Sequence, residues 1–183
     1  MSKLIEPGKL VQISSTLFAT VGAYYNNRYR NATREHLPDY IRVIDALNET
    51  LELKDHRFIL KPIPNFWNGV TIPVNRIAFI DPRRQTFAEI VATTCHEALH
   101  LRQLQDGFLK WDDKDKNLVW MGTPHVTVDI PDPAQHDYET YKKLPWEVDV
   151  EAREKSVFLQ VCKVTKLPYK SLPKHTIKTK YVK

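Results

Sequence analysis

The chain has 183 residues, 42% of them hydrophobic and 27% charged, with a formal net charge of +5. That length and balance suit a soluble protein with a core of its own. No apolar run nears the roughly 20 residues a bilayer-crossing helix demands, and the two cysteines exclude a disulfide framework.

Met1 to Gly8 reads MSKLIEPG, without the apolar stretch and cleavage site of a secretory leader. The expected location is therefore the cytoplasm. Residues 8–30 carry Leu10, Val11, Ile13, Leu17, Phe18 and Val21 at helical spacing and predict an amphipathic helix. Residues 38–53 predict a second, with Pro38 in its first turn and Ile41, Ile44, Ala46, Leu47 and Leu51 as its apolar stripe. The period then changes. Arg57–Lys61 reads as extended, and Pro62 and Pro64 exclude helix after it. Residues 70–74 and 76–80 are rich in β-branched and aromatic side chains and lie between the turn signals Asn68-Gly69 and Asp81-Pro82.

The helix over 86–105 has the clearest start. Thr86 and Glu89 form a capping box, Phe87, Ile90, Val91, Thr94 and Leu101 keep helical spacing, and Gly107 is a good stop. Cys95 on this helix reads as a small buried hydrophobe, with a thiolate ligand as the alternative. Residues 117–121 and 125–130 read as short extended stretches, broken by Pro131-Asp132-Pro133. A last helix is expected over 145–164, with Pro145 in its first turn and Val148, Ala152, Val157, Phe158, Val161 and Cys162 on its apolar side.

This order predicts an α+β fold, with one domain over 1–164 and a basic tail over 165–183. Lys166, Lys170, Lys174, Lys178, Lys180 and Lys183 make the tail +6, with no acid, and leave residues 1–164 at −1. Such a tail either binds nucleic acid, anionic lipid or an acidic protein, or simply stays solvated.

Chemistry concentrates in Thr94-Cys95-His96-Glu97-Ala98-Leu99-His100-Leu101. Two histidines four apart share one helix face, so their imidazoles can converge on one ion. Glu97 between them is placed to handle the proton of a water that zinc acidifies to a pKa near about 7. His125, His136, Tyr138 and Tyr141 precede the last helix and are candidates to stabilise an oxyanion. No Gly-rich phosphate loop and no GxSxG motif occurs.

The segment resembles the HExxH signature of the zincin metallopeptidases. Thr93, Thr94, Ala98, Leu99 and Leu101 fit its flanking positions, whereas Arg102 stands where an apolar residue is common. Gln103 and Asp106 occupy the Gly and third-His positions of the metzincins, so the chain does not resemble that branch. With Leu144-Pro145-Trp146-Glu147, it is similar to gluzincins and to small phage-encoded metallopeptidases in which HExxH precedes a Pro-Trp-Glu helix.

The resemblance implies a zincin-like fold with N-terminal helices, a small, mostly antiparallel sheet and a C-terminal helix that brings the third ligand. It implies zinc on His96, His100 and Glu147, Glu97 as general base, and Glu151 holding a ligand histidine. Glu151 on the metal instead remains open. Asp149, about 200° round the helix from Glu147, is not expected to share the site. The resemblance further implies that Ile77–Ile80 is an edge strand lining a cleft for a peptide or protein substrate. Two other functions stay open: a virion-associated structural protein whose metal only staples the fold, and a hydrolase of cell-wall peptides.

Overall fold

The computed structural model describes residues 36–63, 67–115, 117–125 and 138–173. The expected helix over 8–30, the Pro131–Pro133 break and the tail beyond residue 173 lie outside these residues. Helix α1 spans Leu37–Thr50, with Pro38 in its first turn as expected. Its buried face is Tyr40, Val43, Ile44, Ala46 and Leu47, spaced three and four apart. Ile41, expected in that stripe, is exposed, because the stripe turns on Tyr40 instead. The buried Tyr40 hydroxyl is satisfied by Thr94 Oγ1 at 3.2 Å.

Strands β1 (Arg57–Leu60), β2 (Gly69–Ile72) and β3 (Ile77–Ile80) form one sheet in the order β1-β3-β2. Strand β2 pairs antiparallel with β3, and β1 pairs parallel with it. A parallel pair needs a long connection, and residues 61–76, with β2 inside them, supply it. Ile77–Ile80 is therefore the central strand of this sheet and not the edge strand expected. Strand β2 is an outer strand of the sheet.

Helix α2 spans Phe87–Gln105. Both bonds of its Thr86/Glu89 capping box are present. Its end is a Schellman turn, in which Gly107 has φ 75°, Phe108 N–H donates to Gln103 O at 3.0 Å and Gly107 N–H donates to Leu104 O at 3.3 Å. The helix is buried nearly all round, from Ile90 and Val91 to Leu101 and Leu104. It packs against β2 and β3, against α1, and against the last helix, Pro145–Thr165.

Strands β4 (Leu109–Asp112), β5 (Asn117–Trp120) and β6 (Thr123–His125) form a separate antiparallel meander. The fold is thus α+β, with two small sheets among the described residues, one of them mixed, where a small, mostly antiparallel sheet was expected. The short helix α3 (Tyr138–Tyr141) leads into α4, Pro145–Thr165. Pro145 opens α4 as expected.

The inward face of α4 is Trp146, Glu147, Val150, Glu154, Val157, Phe158, Val161, Cys162 and Thr165. Val148 and Ala152, expected on it, are exposed. This face buries Glu147, expected at the site, and Glu154, which was not. Beyond α4, Leu167, Tyr169 and Leu172 pack against the core, with Tyr169 stacked on Phe158 at 6.2 Å. The lysine-rich segment therefore begins on the core. Cys95 and Cys162 are buried free thiols, and burial pushes both up, Cys162 to about 11. No described helix is long and apolar enough to cross a membrane.

Candidate metal centre

His96 and His100 sit one turn apart in the middle of α2, and their Nε2 atoms lie 3.3 Å from each other. Glu147, in the first turn of α4, meets them from across the helix pair. Its Oε2 is 3.3 Å from His96 Nε2 and its Oε1 is 3.2 Å from His100 Nε2. One donor atom from each residue lies within 4.8 Å of the others, so the three could hold a metal ion. Glu147 and His100 are buried, while the His96 side chain retains 22% exposure, which leaves the cluster open on its side.

The outer ring nitrogens show why the inner ones converge. His96 Nδ1 faces Glu154 Oε2 at 3.3 Å, and His100 Nδ1 faces Gln103 Oε1 at 2.9 Å. An ionised carboxylate and an amide oxygen only accept hydrogen bonds, so both Nδ1 atoms carry hydrogen. In the neutral rings, both Nε2 lone pairs then point at the Glu147 carboxylate. Such a buried group of acceptors needs a cation, and two imidazoles with one carboxylate form a donor set that suits zinc.

Without a metal, protons meet the same need. Burial alone would lower both imidazoles, but Glu147 and Glu154 raise His96 well above its usual value, and Glu147 raises His100. Burial likewise opposes ionisation of Glu147, yet His100 and His96 hold its carboxyl well below the usual range.

Glu97 points from the same helix towards β2. Its Oε2 accepts a hydrogen bond from Thr71 Oγ1 at 2.6 Å. Burial raises its carboxyl, and the two imidazoles and Thr71 pull the other way. Strand β2 can lie this close because residue 69 is glycine. A Cβ there would stand 2.7 Å from Glu97 Oε1 and 2.7 Å from Thr93 Cγ2.

The structure thus brings His96, His100, Glu97 and Glu147 together. It does not bring Glu151, which is exposed, and the carboxylate on His96 is Glu154. Helix geometry gives the reason. From Glu147, Val150 lies about 60° to one side and Glu151 about 40° to the other. Val150 is fully buried, so the core lies on its side, and Glu154, about 20° round on that side, faces inward.

Tyr141 donates its hydroxyl to Glu147 Oε1 at 2.6 Å, and its ring meets Trp67 edge-on at 6.0 Å. His125 packs edge-on against Trp146 at 5.2 Å. His136 and the Tyr138 side chain lie outside the described residues. Arg102, the departure from the motif, donates to Leu51 O at 2.6 Å and ties α2 to the end of α1. Sequence reasoning missed Glu154 and Thr71. The seven-residue spacing from Glu147 was a signal for the first, whereas Thr71 reaches the site only through folding. No family model, curated protein or solved structure matches the chain.

Proposed function

We propose that this protein is a zinc-dependent hydrolase, a peptidase of the HExxH gluzincin type, with His96, His100 and Glu147 as its metal ligands. The observation that carries this reading is the meeting of Glu147 with both imidazoles beside a separate carboxylate, Glu97. Zinc bound there supplies Lewis acidity, polarising a peptide carbonyl and acidifying water.

The chain's own residues do the rest. Glu97 takes a proton from the water that attacks the carbonyl carbon and passes it to the leaving amine. Thr71 holds one oxygen of that carboxylate, which leaves the other to accept the proton. Glu154 keeps His96 in the tautomer whose Nε2 faces inward. Three protein ligands among the described residues favour a catalytic centre over a structural one, which closes with four.

Glu97→Gln is the test. Its amide cannot accept the proton, so the variant should keep its metal and lose about 10²–10⁴ of the hydrolysis rate. Full activity in that variant would refute the general-base role. Casein and purified peptidoglycan, digested in parallel, separate a protein substrate from a cell-wall one.

A further inference from the structure

Gln103 is completely buried on α2, and it makes three hydrogen bonds there. Its Oε1 receives His100 Nδ1 at 2.9 Å. Its Nε2 donates to Trp146 O at 2.9 Å and to Asp149 Oδ2 at 2.7 Å. Trp146 directly precedes Glu147, and Asp149 is one half-turn further along α4. One planar amide therefore grips a proposed ligand of α2 at one end and the ligand-bearing turn of α4 at the other. The two acceptors on α4 also settle which way the amide faces. The nitrogen must point at them, so the oxygen must point at His100. Asp149 is held in turn by Arg153, whose Nη2 lies 3.1 Å from the same Oδ2.

We propose that Gln103 is the positioning residue that sets the distance between His100 and Glu147. It rests on the metal-centre reading above. The amide fixes the His100 tautomer and, in the same act, the register of α4 against α2. Asp149, which touches no ligand, supports the site through this amide.

Three variants test the assignment: Gln103→Met, which keeps the volume and removes both ends of the strut; Asp149→Ala, which removes one acceptor; and Asp149→Asn, which removes the charge and keeps an acceptor. The readouts are zinc affinity, measured by competition with a chelator, and the His100 tautomer in metal-free protein, read from imidazole ¹⁵N shifts at alkaline pH. Gln103→Met should bind zinc about 10–100-fold more weakly and lose the single Nδ1–H tautomer of His100. Asp149→Ala should weaken zinc several-fold, and Asp149→Asn should restore it.

Wild-type zinc affinity in both Gln103→Met and Asp149→Ala would overturn the strut, as would equal loss in the two Asp149 variants, which would leave charge as the cause. Asp149 is partly exposed, so its pair decides the matter if Gln103→Met fails to fold. A wild-type protein that takes no zinc would refute the metal reading, and the ¹⁵N shifts of Gln103→Met would still decide the role of the amide.

Discussion

Glu147 sits almost fully out of water between two imidazoles and the Tyr141 hydroxyl. Removing an opposite charge from a buried charge leaves it uncompensated, a loss typically of about 3–5 kcal/mol, whereas removing one hydrogen bond from a neutral donor to that charge costs about 1.5–3 kcal/mol. Tyr141 belongs to the second class. Tyr141→Phe should weaken zinc binding several-fold and leave kcat at saturating zinc nearly unchanged, as activity measured across a zinc titration would reveal. A large fall in kcat at saturating zinc would point instead to the oxyanion role for which Tyr141 is one of four candidates in the sequence. Gly69→Ala acts on the base instead. The new methyl drives against Glu97, and a misplacement of about 1 Å costs on the order of 10²-fold in rate. Hydrolysis should fall by that factor with zinc content unchanged, and wild-type activity would show that the close approach is dispensable.

At the scale of elements, both long central helices were legible because their ends carry local chemistry. Thr86 with Glu89, Gly107 and Pro145 mark three helix ends, and each acts within one turn of itself. The helix faces were less legible. An apolar stripe assumes that polar residues face water, and α4 breaks the assumption where Glu147 and Glu154 turn inward. The strand order was hidden for another reason: the pairing of β1 with β3 across residues 61–76 depends on contacts that no local pattern encodes. The exit from α4 yields a prediction of its own. Lys166 occupies the left-handed position of a Schellman turn with φ 59°, Leu167 N–H donating to Cys162 O at 2.9 Å. A side chain there costs about 1 kcal/mol relative to glycine. Lys166→Gly should therefore raise unfolding stability by about 1 kcal/mol in a denaturant titration, and a loss of stability would show that the lysine makes a contact worth more than its strain.

In the whole molecule, the site forms where three elements meet: α2 brings His96, Glu97 and His100, α4 brings Glu147 and Glu154, and β2 brings Thr71 and Gly69. The motif on α2 could be read from sequence because its residues are neighbours on one helix. Glu147, which could complete the metal-holding group, was reached through the resemblance to the gluzincins. Thr71 could not be read, since only the packing of β2 on α2 brings its hydroxyl to Glu97. Elemental analysis of the purified wild type beside Glu147→Ala decides whether His96, His100 and Glu147 form a metal centre. About one zinc per wild-type chain and a large loss in the variant are expected, because three protein ligands hold a catalytic zinc. Equal zinc in both proteins, or none in the wild type, would contradict that assignment.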